Sequence, residues 1–275
     1  MRYHTSLFTS KVKLNIPIFF YCRIEILYLY DIRMTRNCVF TSAGDNTVFT
    51  YWWCTNMQNY DIYVIYYGDN DENYEAYKSK VHYIERRKGS KFQNFHYFYN
   101  TYPEIIAKYD RFFIPDDDIE ITGKDINRMF HLSESLQLLI CAPSFSKGSR
   151  IAHSITKNKP NISIEYTNFV EVNTMLFQKK ALDMLMKHYD PILIGWGIDY
   201  LAIWANGIEE KKSYAIIHEI ICRNPHESEK KSGTRELLLL PHVHNRSKTW
   251  ANYAKMKGCP NAYAHIVHKQ IPLEK

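Results

Sequence analysis

The chain has 275 residues, 45% of them hydrophobic and 23% charged, with a formal net charge of +6. That length and balance suit a soluble globular protein of one large domain or two small ones, without internal repeats or low-complexity segments. Lysine and arginine are spread along the chain, with no dense basic run interleaved with aromatics, so no nucleic-acid partner is expected and a small anionic substrate fits the mild positive charge better.

Residues 1–33 do not fit the pattern that follows and read as a dispensable N-terminal extension, with Met34 as an alternative start. The most apolar stretch, 14–30, carries Arg23 and Glu25 near its middle. Each charge there costs roughly 2.5–3.5 kcal/mol in hydrocarbon, which argues against a membrane span and leaves a signal anchor as the minor reading. Membrane association is not expected. The six cysteines form no C-x-x-C pair and no zinc-like spacing, so they read as reduced, mostly buried thiols of a cytoplasmic protein.

The folded domain is expected over 34–230. An apolar β-like run at 37–41 leads into the turn Ser42-Ala43-Gly44-Asp45-Asn46, followed by an aromatic-rich helix over 47–59. A buried strand at 60–67 ends at Gly68-Asp69-Asn70. A polar helix over 71–80, a short strand at 81–85, a basic turn at 86–90 and a helix from Phe92 come next, and a strand at 109–115 runs into Asp116-Asp117-Asp118. Strands are also expected at 137–142 and 169–177, and helices at 180–188 and 198–205. The charged segment 231–275 reads as a C-terminal tail. Strands alternating with helices predict an α/β fold with a mostly parallel central sheet flanked by helices, whose ligands bind beyond the carboxyl ends of the strands.

Two segments carry chemistry. An apolar strand that ends in three adjacent acids builds up repulsion that a divalent cation would offset, and hard oxygen ligands suit Mn²⁺ or Mg²⁺. The bland reading is a solvated acidic turn or a helix N-terminus. Further on, Gly195-Trp196-Gly197-Ile198-Asp199-Tyr200 joins a tight turn to a flat apolar ring that suits a sugar and to a carboxylate that can serve as a general base. Here the bland reading places Trp196 in the core and makes Asp199 a helix N-cap.

The Asp-x-Asp unit after its strand resembles the signature of GT-A glycosyltransferases, and the Gly-Trp-Gly segment resembles that of inverting members such as the animal β-1,4-galactosyltransferases, although those carry a longer acidic run. Four segments taken in order are most similar to the plant and microbial domain of unknown function 707 family. They are Gly44-Asp45-Asn46, Asp116 through Glu120, Phe169-Val170-Glu171-Val172, and Gly195 through Tyr200. The resemblance implies a GT-A, Rossmann-like nucleotide-diphosphate-sugar transferase fold and a metal-dependent, inverting glycosyltransferase, with a UDP-sugar as the favoured donor and a hydroxyl on a glycan or glycoconjugate as acceptor. It also implies roles. Thr41, Gly44, Asp45 and Asp69 border the nucleotide, Lys91 approaches the diphosphate, and Asp116 and Asp117 contact the nucleotide sugar. Asp116 and Asp118 hold the metal with His226 or His218, and Asp199 is the catalytic base. From the residues themselves, the flat ring of Trp196 and Glu171, an acid costly to bury unpaired in an apolar strand, are candidates for binding the acceptor, with a strand-edge position as the alternative for Glu171. The rival readings are a nucleotidyltransferase and a catalytically inactive module that binds nucleotides or glycans.

Overall fold

The computed structural model describes residues 36–229 and 236–274. The extension 1–33 and the candidate anchor at 14–30 lie outside the described residues. Nine strands form one sheet: β1 (Asn37–Ala43), β2 (Tyr60–Tyr66), β3 (Tyr83–Arg86), β4 (Arg111–Pro115), β5 (Ile140–Phe145), β6 (Ile162–Thr167), β7 (Thr174–Gln178), β8 (Tyr214–Cys222) and β9 (Val267–Pro272). Their order across the sheet is β3-β2-β1-β4-β7-β5-β8-β6-β9. Following the pairings from strand to strand, β6 and β7 run opposite to the other seven, so the sheet is mostly parallel as expected. Among the described residues no helix is long and apolar enough to cross a membrane.

The strands alternate between two cores. Cys38, Phe40, Tyr63, Ile65, Phe112 and Ile114 point to one face, whereas Val39, Ile62, Val64, Tyr66 and Phe113 point to the other. That is the two-residue period of a pleated strand covered on both sides. Helices α1 (Phe49–Trp52), α2 (Asp71–Lys78), α3 (Lys91–Thr101), α4 (Pro103–Ile106), α5 (Gly123–Ser135), α6 (Lys179–His188), α7 (Ile198–Asn206) and α8 (Arg246–Lys257) complete the described secondary structure, apart from short 3₁₀ turns.

Several expectations shift. The helix expected over 47–59 is a single turn, because the Trp53 indole turns inward and donates from Nε1 to the Ile119 carbonyl at 2.9 Å. The strand expected at 137–142 begins three residues later, since Gln137 adopts a left-handed φ of 55° just after α5 and such a residue closes a helix. Of the strand expected at 169–177 only Thr174–Gln178 is extended in the sheet, and 168–173 is a loop. Residues 236–274, read from the sequence as part of a tail, supply α8 and the edge strand β9, which pairs with β6.

Candidate functional site

The strands β1, β2 and β4 run side by side in one direction, so the turns after Ala43, Tyr66 and Pro115 gather at one edge of the sheet. A cleft of about 1050 Å³ opens there, with a side recess of about 90 Å³. Asp45, Asp69, Lys91, Asp116, Asp117, Asp118, Glu171, Trp196 and Asp199 all line the cleft.

The three aspartates divide their work. Asp117 belongs mainly to the framework: its Oδ2 accepts from the Gly44 amide at 2.9 Å and from the Tyr67 hydroxyl at 3.5 Å, and its carbonyl accepts from Val48 N and Thr47 Oγ1. These bonds fasten the turn after β1 to the end of β4. Asp116 and Asp118 face the cleft and share the recess with Arg150, Glu171 and Asn173. The Lys91 ammonium lies 2.7 Å from Asp116 Oδ1, is only 10% exposed, and also donates to the Val172 carbonyl at 2.9 Å. Much of the repulsion within the triplet is therefore met by a lysine and by an amide.

Around the first turn, Thr41 is fully buried and donates from Oγ1 to the Pro115 carbonyl at 2.9 Å. Neither it nor Gly44 lines the cleft, where Ser42 and Asn46 stand in their place. A strand side chain at 41 points into the opposite layer from 42, which explains the exchange. Burial tends to raise the pKa of the Asp45 carboxyl, but hydrogen bonds from the Tyr66 hydroxyl, Asn73 and the amides of Asp69 and Asn70 hold it below the ordinary value. Asp69 is exposed and paired with Lys88 at 2.7 Å.

The Gly-Trp-Gly turn is set by backbone geometry. Gly195 and Gly197 have φ of 68° and 78°, the left-handed region that favours glycine, and a Cβ at Gly197 would meet the Trp250 ring at 2.1 Å. Gly197 is the N-cap of α7. Asp199 is thus inside the first turn and not its cap, and its carboxylate is buried against the cleft with Oδ1 accepting from the Tyr200 amide at 3.0 Å. Burial pushes it up to about 6. Trp196 is 48% exposed, so it is a wall of the cleft and not a core residue, and the Arg246 guanidinium lies 5.4 Å from its ring centre.

Glu171 sits in the 168–173 loop and not in a strand. Burial pushes it up to about 7, the negative charges of Asp199 and Asp116 add to that, and hydrogen bonds from Asn173 and Thr156 oppose it. The Thr156 hydroxyl is 2.7 Å from the His153 carbonyl and 3.2 Å from Glu171 Oε2. Its one hydrogen can serve only one of them, and a carbonyl can only accept. A protonated Glu171 satisfies both contacts by donating to the threonine oxygen.

Neither histidine proposed for the metal lines the cleft. His218 is buried in β8, where its Nδ1 accepts from the Lys159 amide at 3.2 Å and its Nε2 lies 3.9 Å from Glu165. His226 is exposed, with its amide donating to Glu229. The histidine at the cleft is His153, in the loop after β5 together with Arg150. Both follow from the strand-end rule once β5 is placed to end at Phe145. Among the described residues no three His, Cys, Asp or Glu stand together as a metal-binding set. Two carboxylates, Asp116 and Asp118, fit the habit of Mg²⁺ and Mn²⁺ of taking one or two protein oxygens beside substrate phosphates and water.

Residues 49–179 match the profile of a family described as "Protein of unknown function (DUF707)". No curated protein matches the sequence. Among solved structures, the chain is similar to the crystal structure of S. aureus TarS with a TM-score of 0.53 at 9% identity, over 81% of this chain and 39% of that one. It is similar to S. aureus TarS 1–349 in complex with UDP-GlcNAc with a TM-score of 0.53 at 10% identity, over 81% of this chain and 66% of that one. The chain therefore spans less than two thirds of either. The fold, a mostly parallel α/β sheet flanked by helices, is shared with these structures.

Proposed function

We propose that the protein moves a sugar from a nucleotide-diphosphate sugar, with a UDP-sugar favoured, to a hydroxyl of a glycan or glycoconjugate, inverting the anomeric centre. The observation that carries the reading is the opening of Asp116, Asp118 and the buried Asp199 on one cleft beyond the strand ends. The UDP-GlcNAc complex of the similarly folded TarS supports the donor class.

In this reading the turns bearing Asp45 and Asp69 take the nucleotide, and Asp116 and Asp118 are the residues that would hold Mn²⁺ or Mg²⁺. When bound, the ion supplies Lewis-acid charge for the leaving group. The acceptor hydroxyl lies by Asp199, which takes its proton as the oxygen attacks the anomeric carbon from the face opposite the diphosphate. The bond from that carbon to the phosphate oxygen breaks in the same displacement, so no covalent intermediate forms. A base raised by burial still holds its proton loosely enough to be ionised at neutral pH and strongly enough to accept one.

The test is a thermal-shift screen of UDP, GDP and their sugars with and without Mn²⁺, on wild type and Asp118→Ala, followed by product analysis with Asp199→Asn. Metal-dependent stabilisation that is lost in Asp118→Ala, and sugar transfer that is lost in Asp199→Asn, are expected. Nucleotide binding without turnover would make the protein a binding module, and a transferred nucleotide would make it a nucleotidyltransferase.

A further inference from the structure

The cleft has two kinds of lining, a polar and charged one from Ser42, Asp45, Asn46, Asp69 and Lys88, and an apolar one from Trp196, Leu237, Leu239, Leu240 and Pro241. Leu239 is 73% exposed, apolar surface that a bound hydrocarbon would remove from water. This wall and the proposed base line the same cleft. Arg246, five residues beyond Pro241, reaches over Trp196, and Trp250 on the same helix packs against Gly197, two residues before Asp199.

We infer that the acceptor is a glycoside with an apolar aglycone, an alkyl or acyl chain that lies on Leu237, Leu239 and Leu240 while its sugar hydroxyl reaches Asp199. This rests on the glycosyltransferase reading for the role of Asp199, but the subsite itself does not need it. A pyranose presents one apolar face, which Trp196 matches alone. Sugar hydroxyls set against leucines would lose water without gaining a partner, so the leucine wall selects a hydrocarbon segment. The cleft, at about 1050 Å³, lies at the upper end of the size range of ligand sites.

The experiment compares binding of octyl and methyl β-glucoside, the former kept below its micelle concentration, by calorimetry on the full chain. It uses wild type, Leu239→Ser/Leu240→Ser, and Leu238→Ser as a control, because Leu238 is exposed yet does not line the cleft. Wild type should prefer the octyl compound by about tenfold or more, the discrimination that a methylene or two gives in a hydrophobic pocket. The double variant should bring the ratio near one with an unchanged melting temperature, and Leu238→Ser should keep it. Equal binding of the two glucosides by wild type, or a ratio that the double variant leaves intact, would overturn the proposal. Sedimentation with phosphatidylcholine vesicles but no octyl preference would also overturn it, in favour of a membrane-facing surface. Octyl preference without turnover of any nucleotide sugar would leave the subsite standing and remove the enzyme reading, whereas sugar transfer with no octyl preference would remove the subsite alone.

Discussion

One ammonium ties two parts of the cleft together: Lys91 Nζ lies 2.7 Å from Asp116 Oδ1 and 2.9 Å from the Val172 carbonyl. The acid at the end of β4 is thereby fixed to the loop that carries Glu171. Lys91→Met leaves both acceptors without this donor, at a cost of about 1–3 kcal/mol. Urea unfolding should show that loss, and Asp116→Asn added to Lys91→Met should recover part of it, since the two effects share one contact. Equal and additive losses would mean that the ion pair contributes nothing.

The raised Glu171 carboxyl makes a prediction of definite sign. Its folded value of about 7 lies above the ordinary 4.5, so the folded state binds the proton more tightly than the unfolded chain. The group therefore costs nothing below about pH 4.5, and its penalty grows through the window from there to about 7. Glu171→Gln removes the penalty. Relative to wild type it should gain stability at pH 8, by on the order of 3 kcal/mol, with little gain at pH 4. A gain that does not change with pH would show that Glu171 is ionised throughout.

Activity should follow Asp199. A base at about 6 must be ionised to accept a proton, so kcat/KM for sugar transfer should rise as pH passes through about 6. Asp199→Asn should abolish transfer at every pH and leave donor binding in the thermal-shift assay in place. Transfer that survives in Asp199→Asn would place the base elsewhere in the cleft.

The parallel half of the sheet was legible because its strands are apolar runs that stop at glycine and aspartate turns. The acid cluster and the Gly-Trp-Gly turn were legible because each breaks an apolar segment abruptly. Other features failed for specific reasons. The α5 helix carries a readable start, with Thr122 accepting from the Asp125 amide, but it follows the acid cluster after only a few residues, without a separating loop. The loop holding Glu171 looked like a strand because Phe169, Val170 and Val172 are apolar, and only tertiary contacts, such as the Asp116 amide donating to the Asn173 carbonyl, show that it turns. Lys91 was legible as a cation near the site, but its partner lies 25 residues away and no spacing rule points to it. His153 and Arg150 depend on where β5 ends, a boundary that sequence reading misplaced by three residues.

Asp117 separates framework from ligand chemistry within the triplet. Asp117→Ala removes the acceptor for the Gly44 amide and should destabilise the fold by about 1–3 kcal/mol, because a part-buried donor loses its partner. Asp117→Asn keeps an acceptor oxygen and should recover most of that loss. If urea unfolding finds Asp117→Ala as stable as wild type, the turn after β1 is held by other contacts and the acid is available to a ligand.

The two glycines that flank Trp196 share a backbone conformation and differ in surroundings, so together they separate strain from packing. Both have left-handed φ, which costs a side chain roughly 1–2 kcal/mol. A Cβ at Gly195 meets nothing within 4 Å, whereas one at Gly197 would lie 2.1 Å from the Trp250 ring. Gly195→Ala should therefore cost only the conformational strain. Gly197→Ala should cost that and, in addition, roughly 1–3 kcal/mol of overpacking, with Trp250 driven off the start of α7 and Asp199 displaced with it. Stability by urea unfolding and transfer activity should fall together in Gly197→Ala, and Trp250→Leu should restore part of the stability by making room for the methyl group. Matching losses in the two glycine variants would mean that Trp250 yields freely, and that the position of Asp199 is set by the turn alone.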